Sequence, residues 1–375
     1  MQCTLRAQLT QFGQLLQSEL FPVLERQLGA LTEGGRRLTA VLAMIPLARF
    51  IPVSRGWNGR PAKDRHAIAC AFVAKSVYNL ATTRELIERL HTDEQLRRLC
   101  GWNQAEELPH ESTFSRAFAE FAAMELPQFV HEALIRDTQR ERLVGHILRD
   151  STAIPARERF AERPPQPQRA KYRSWGRGRG RNRLPKTRLE RQRRMTLTQM
   201  LAELPRHCSL GVKTGHEGHQ KYWRGYKLHL DVADGQIPIS AILTGASLHD
   251  SQVAIPLATM TAARVTSLYD VMDTAYDAGE ILAHSRSLGH VPIVKPAQRH
   301  SLSKSVIFPP KPPRQFNWAE QDRFRERTQV ERVNGRLKDE FGGRHIYVRG
   351  AQKVMAHLMF GILALTVDQL LRWSG

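Results

Sequence analysis

Three carboxylates in this 375-residue chain stand where the surrounding pattern makes them chemically useful. Asp150 ends the apolar run Ile147-Leu-Arg-Asp-Ser-Thr152, which reads as a strand. Asp273 directly follows a second strand, in Tyr269-Asp-Val-Met-Asp-Thr-Ala-Tyr276, predicted to be the fourth of a sheet. Glu331 sits mid-helix in Arg327-Thr-Gln-Val-Glu-Arg-Val-Asn-Gly-Arg-Leu-Lys338. Carboxylates delivered to one sheet edge suit hard divalent cations, which prefer oxygen ligands. Two Mg²⁺ ions on the order of 4 Å apart would activate a water or a 3′-hydroxyl and stabilise the leaving oxygen of a phosphodiester.

The last helix carries the sharpest spacing. At about 100° per residue, Phe324, Arg327 and Lys338 fall within about 40° of Glu331. Val330, Val333, Leu337 and Phe341 form a separate apolar stripe for the core. One helix face thus pairs an acid with cations suited to phosphate. An exposed ion-pair pattern uses the same spacing, so this helix alone does not decide the chemistry.

The elements that must hold these residues are also legible. Leu5, Leu9, Phe12, Leu16 and Leu20 make an amphipathic helical stripe, and further helices are predicted over 37–50, 68–80 and 83–90. Ser112 or Thr113 is expected to cap a helix over 114–124. A short helix, a turn and a second helix in this block match a helix-turn-helix, as they match any small bundle. From residue 146 strands take over. The segment 226–232, the turn Ala233-Asp-Gly-Gln236 and the segment 237–244 predict a hairpin. Helices at 252–263 and 277–288 then alternate with strands at 267–272 and 291–295. Asn317 with Glu320 forms a capping box for one long helix reaching Phe341, stopped by Gly342-Gly343. The predicted fold is a mixed α/β sheet flanked by helices, behind an all-α N-terminal domain.

Composition says what the chemistry acts on. Lys and Arg total 56 against 36 Asp and Glu, a net charge of +20, which points to a polyanion partner. The segment 157–195 alone holds fifteen basic and three acidic residues, a net +12. Its Arg177-Gly-Arg-Gly-Arg-Asn-Arg183 run, with Arg179 and Arg181, cannot bury apolar surface and is expected to be flexible. Tyr172 and Trp175 among those arginines could stack on bases; a solvated linker is the alternative. The four cysteines lie far apart with no CxxC pair, which argues against a disulfide framework or zinc ribbon and fits a reducing cytoplasm. Arg6, Glu19, Glu25 and Arg26 break any apolar run near the start, so no signal peptide is expected, and the apolar stretch 354–371 carries His357, Asp368 and Gln369, so a buried helix is expected rather than a membrane span.

These residues together resemble a known family. Arg327-x3-Glu331-x6-Lys338 is similar to the Y-R-E-K signature of bacterial insertion-sequence transposases of the D-D-E type. Asp150-Ser-Thr resembles their first aspartate motif and Asp273-Thr-Ala-Tyr276-Asp277 their second. Gly225-Tyr-Lys-Leu-His229 and Ala246-Ser-Leu-His-Asp-Ser251 resemble two further signatures, and Gly59-Arg-Pro61 through Glu111-Ser-Thr-Phe-Ser-Arg116 the helical domain before catalysis. The resemblance covers residues 55–372. It implies a ribonuclease-H-like catalytic domain over 141–349 with the basic insertion at 157–210, a DNA-binding or dimerising region over 1–140, and a C-terminal helix over 350–375. It further implies Mg²⁺-dependent cleavage of transposon ends and strand transfer into target DNA, with Mn²⁺ as an alternative ion. Asp150, Asp273 and Glu331 become the catalytic metal ligands. Arg327, Lys338, Phe324 and Lys227, with Arg177, Arg179, Arg181 and Arg183, become the DNA contacts. A homodimer in a synaptic complex, a cytoplasmic location at the nucleoid and no membrane are expected. A catalytically silent DNA-binding regulator, or a nuclease on the same scaffold, are the alternatives.

Two departures stand out. Phe324 holds the signature's tyrosine position and lacks the hydroxyl, and only 58 positions separate Asp273 from Glu331, too few for the β-rich insertion of some relatives. Among rival acids, Asp234 has a turn to serve and Asp270 alternates to the other side of its strand. Asp250 is expected either to support the site or, slightly preferred, to cap the helix at Ser251. Lys227 and His229 share a strand face.

Overall fold

A computed structural model describes residues 4–51, 63–159, 187–214, 219–296 and 315–374. The N-terminal part is helical: α1 (Leu5–Leu15) runs through one wide turn into α2 (Phe21–Leu28), followed by α3 (Glu33–Met44), α4 (Arg65–Val77), α5 (Thr83–Thr92), α6 (Glu94–Leu99), α7 (Glu111–Ala123) and α8 (Leu126–Gln139). Short polar side chains start several of them, as helix ends with orphan amides require. Asp64, Thr82 and Asp93 each accept from a first-turn N–H. Two predicted boundaries move. Thr32 caps α3, whose first residue, Glu33, lies four residues ahead of the expected start. The cap of α7 is His110, whose Nδ1 accepts from the Ser112 N–H at 3.2 Å, so neither Ser112 nor Thr113 plays that part.

The second part alternates strands and helices: β1 (Leu143–Pro155), α9 (Arg188–Gln192), α10 (Leu197–Ala202), β2 (Ser209–Thr214), β3 (Gln220–Ala233), β4 (Ile237–Gly245), α11 (Ser251–Ala262), β5 (Thr266–Met272), α12 (Gly279–Ser287), β6 (Val291–Val294), α13 (Trp318–Arg325), α14 (Thr328–Glu340) and α15 (Ala351–Ser374). They build one six-stranded mixed sheet of order β2-β3-β1-β5-β6, with β4 also paired to β3. β1 runs parallel to β5 and antiparallel to β3. The predicted hairpin joins β3 to β4 through Gly235 and Gln236, both at positive φ. Asp234 does more than turn the chain: its carboxylate accepts from the Gly145 and His146 amides, sewing the hairpin to β1.

Helix α15 is the axis of the molecule. It passes the length and apolarity test for a membrane span, yet most of it is buried between α3, α4, α7, α8, α14 and β4. Phe360 on α15 meets Phe72 and Phe118 in an aromatic cluster that Phe114 and Phe121 complete. Such rings bury large areas and fix relative orientation. The close approach of α14 needs Gly361, where a Cβ would lie 2.5 Å from the Phe341 carbonyl oxygen. Arg336 on α14 donates to Asp368 at 2.6 Å and Gln369 at 2.7 Å on α15, so the helix bearing Glu331 is anchored to the central axis.

Three expectations change here. The described part of the stretch 157–210 holds regular structure: α9 and α10 open with the capping boxes Thr187/Glu190 and Thr196/Gln199, a signal present in the sequence, and β2 adds an unpredicted strand. Asp273 therefore follows the fifth strand, not the fourth. The single helix from Asn317 to Phe341 is two, α13 and α14, because the amides of Glu326, Arg327, Gln329 and Val330 bond three residues back and tighten the chain there. Arg177, Arg179, Arg181 and Arg183, with Tyr172 and Trp175, lie outside the described residues.

Candidate active site

β1 and β5 are parallel neighbours in a register that sets Arg149 beside Met272, so Asp150 and Asp273 leave adjacent strands at the same level. Strand alternation then divides the labour on β1. Arg149 turns to one face, where it is 1% exposed and grips Asp231 of β3 through two bonds of 2.8 and 2.7 Å. Thr261 of α11 donates to the same carboxylate at 2.7 Å. Asp270 joins this buried layer, accepting from Ser285 at 2.5 Å and lying 3.2 Å from His290. Its predicted orientation away from Asp273 is what the structure has. On the opposite face Asp150 looks toward α14.

There one guanidinium gathers the three acids. Arg327 places Nη1 2.8 Å from Glu331 Oε1, and Nη2 3.3 Å from Asp150 Oδ1 and 3.9 Å from Asp273 Oδ2. Asn334, one turn beyond Glu331, donates Nδ2 to the other Asp150 oxygen at 3.2 Å. Lys338 donates to Thr152 Oγ1 on β1 at 2.6 Å. Asp273 is fixed by the Ala275 amide at 2.9 Å. Burial, with the Asp273 and Glu331 carboxylates adding to it, pushes the Asp150 carboxyl up to about 6 against the pull of Arg327. Burial raises Asp273 too, again opposed by Arg327. Burial lowers the Lys338 amine, and the charges of Arg344 and Lys213 add to the effect.

The other sequence-predicted residues are distributed unevenly. Phe324 lies before the helix break, half-buried with its ring centroid 5.3 Å from that of Phe316, so it does not share a helix face with Glu331. Lys227 is on the Arg149 face of the sheet, where its Nζ donates to Asp250 and to the Leu248 carbonyl, both at 2.9 Å. In this structure its charge is paired inside the protein. His229 beside it is buried against Thr244. Asp250 stands at the N-cap position of α11, but its side chain makes no cap bond, and His249 accepts from the Ser251 amide instead. Burial would raise the Asp250 carboxyl, but His229, Lys227 and Ser151 together hold it below its usual value. Asn334, Thr152 and Arg149 were not singled out from the sequence, although Asn334 stands one helical turn after Glu331.

A family model described as a transposase DDE domain matches residues 145–367, and one described as a transposase domain (DUF772) matches residues 26–120. The chain belongs to the DDE transposase family. No curated protein and no solved structure matches it. As a transposase it is a DNA-cleaving and strand-transferring enzyme of the insertion-sequence type, and its mixed sheet with flanking helices fits a ribonuclease-H-like DDE domain. Its partner is DNA, and transposases of this family generally use divalent metal ions.

Whether the acids suit such an ion is a matter of donor chemistry. As the side chains stand, they are spread over separate nitrogens of Arg327, and no group of three acidic, histidine or cysteine side chains among the described residues is drawn tightly enough around a metal. Three hard carboxylate donors nevertheless converge on one cation. Beside them two buried oxygens, the Tyr276 hydroxyl and Asn334 Oδ1, have no hydrogen-bond partner among the described residues. Tyr276 is within electrostatic reach of Asp150, Asp250 and Asp273. The set fits a hard divalent cation once the guanidinium swings out.

Proposed function

We propose that Asp150, Asp273 and Glu331 are the catalytic metal ligands of this transposase, with Mg²⁺ as the ion and Mn²⁺ able to replace it. The observation that carries the reading is the convergence of all three acids on the single Arg327 guanidinium. Bound ions would supply activation of the attacking oxygen and stabilisation of the leaving one. The chain's own side chains do the rest. Asn334 and the Ala275 amide hold the planes of Asp150 and Asp273. Arg327, displaced from the acids, offers a planar fork of donors to phosphate oxygens. Lys338 adds a point charge beside Thr152. Phe324 supplies packing against Phe316 and no hydroxyl. Arg177, Arg179, Arg181 and Arg183 contribute salt-sensitive, sequence-tolerant affinity for DNA.

The reaction is cleavage at the transposon end followed by in-line attack of the exposed 3′-hydroxyl on target DNA. A homodimer in a synaptic complex, working in the cytoplasm at the nucleoid, brings the two ends together. The test is a plasmid assay with cognate ends and Mg²⁺. Cleaved and joined products from the wild type, absent with Asp150→Ala, Asp273→Ala and Glu331→Ala, are expected. Unchanged cleavage in any of the three would remove that residue from the triad. Binding without cleavage would mean a silent regulator, and cleavage without joining a nuclease.

A further inference from the structure

β2 and the first residues of β3 form a two-stranded ribbon beyond the body of the sheet. β1 pairs β3 only as far as Gly225, opposite Pro155, and β4 only as far as Tyr226. Beyond Gly225, as far as Gln220, the strand paired with β3 among the described residues is β2, with one further bond from the Ala156 amide to the Arg224 carbonyl. The ribbon leaves the sheet at Gly225, whose φ of 149° and contact with the Ile154 carbonyl oxygen exclude a side chain. Trp223 closes one of its faces by lying over Gly211, its cross-strand partner, and donates Nε1 to the Tyr226 carbonyl at 3.1 Å.

The composition of this ribbon is one-sided. Segments 209–214 and 219–225 contain Lys213, Lys221 and Arg224 and no acid. Lys213 and Lys221 are directly opposite each other and exposed, and neither has an ion pair or hydrogen bond among the described residues. Like charges in register weaken a ladder, and here nothing in the described structure offsets the repulsion. On the alternate face Tyr222 is 59% exposed, beside exposed Leu210 and Val212. Cations interleaved with exposed aromatic and apolar groups suit a nucleic-acid surface. A two-stranded ribbon also has the width to enter the major groove of duplex DNA. The ribbon leaves the sheet opposite Pro155, on the same strand, β1, that carries Asp150 and Thr152.

We propose that the β2–β3 ribbon is a DNA-binding arm, in which Lys213 and Lys221 grip the duplex backbone beside the scissile phosphate. A second copy of this chain fits the surface less well, because two such ribbons would bring four lysines together. The proposal rests on DNA as the partner, which family membership supplies, and not on the choice of metal ligands.

The test uses full-length protein and cognate end DNA without divalent metal, so that binding is read apart from cleavage. Lys213→Glu/Lys221→Glu should lower the slope of log affinity against log salt by about 1.8, as expected for two lost phosphate contacts. Lys213→Arg/Lys221→Arg should restore it. Arg286→Glu/Arg372→Glu, an equal charge change at exposed sites on α12 and α15, should leave the slope near wild type. A photo-crosslinker on Lys221→Cys should attach to DNA within about 10 base pairs of the cleaved bond, one helical turn. Slopes equal for the ribbon and control pairs would overturn the proposal. Protein–protein crosslinks in place of DNA crosslinks would do the same and assign the ribbon to an interface between copies.

Discussion

Asn334 Nδ2 lies 3.2 Å from Asp150 Oδ2, while Arg327 holds the other oxygen of the same carboxylate at 3.3 Å. The two donors differ in kind. Asn334 is neutral, buried and set on a helix anchored to α15, whereas Arg327 is charged and shared among three acids. Asn334 is therefore the fixed post of the site and Arg327 the movable one. Outer partners of metal-holding carboxylates are typically worth about 10–100-fold in activity or metal affinity. Asn334→Ala should lower end cleavage by about that factor and leave the dissociation constant for end DNA within about twofold, since the amide is buried away from the duplex. Cleavage equal to wild type would remove Asn334 from the site.

On the proposed reading, Arg327 occupies the place a divalent ion would need. Removing it takes away a competing cation and leaves three carboxylates facing one another, a change that favours any ion they can share. Arg327→Ala should bind Mn²⁺ at least about fivefold more tightly than wild type when titrated calorimetrically without DNA, yet cleave end DNA more slowly. Weaker Mn²⁺ binding by the variant would show that the guanidinium organises the acids and does not compete for them.

The raised Asp150 carboxyl ties stability to pH in a definite direction. Its folded value of about 6 lies above the unfolded one near 3.9, so between these limits the folded chain keeps a proton that the unfolded chain has lost. Stability of the metal-free protein should fall as pH rises through that window and stay lower above it. Asp150→Asn abolishes the titration. In EDTA, urea unfolding from pH 4.5 to 7.5 should show the variant gaining on the wild type by about 2 kcal/mol, nearly all of it below pH 6.5. A constant difference across the range would mean that Asp150 titrates normally.

Most of what positions the site could be read from residue order. The strands carrying Asp150 and Asp273 alternate in the expected way, and the hairpin turn and the Asn317–Glu320 box are where the pattern puts them. What escaped depends on contacts between distant segments. The break between α13 and α14 leaves no proline or glycine in the sequence, so angular arithmetic carried Phe324 onto a face it does not share. Lys227 has the periodicity of an available cation, but only the return of the chain at Leu248 and Asp250 consumes its charge. β2 is short and sits beyond a basic, glycine-rich stretch whose composition suggested no strand. Asn334 was visible as a residue one turn from Glu331, yet its value lies in reaching β1.

Arg149 and Asp231 form the most deeply buried ion pair among the described residues, at 1% and 0% side-chain exposure, directly behind Asp150. Replacing one partner of such a pair leaves an uncompensated buried charge and typically costs about 3–5 kcal/mol, whereas replacing both with apolar groups is often nearly neutral. Asp270 adds to the stakes, because the charge of Arg149 also helps keep its carboxyl low, next to His290 and Ser285. Arg149→Met should therefore destabilise the protein by about 3–5 kcal/mol and lower cleavage in parallel, by loosening the β3–β1–β5 register that sets Asp150 level with Asp273. Arg149→Met/Asp231→Leu should recover part of the stability, and the double-mutant cycle should give a coupling above about 1 kcal/mol. Purely additive losses in urea unfolding would show that the pair does not act as a unit and that the register beneath the acids is held by the ladder alone.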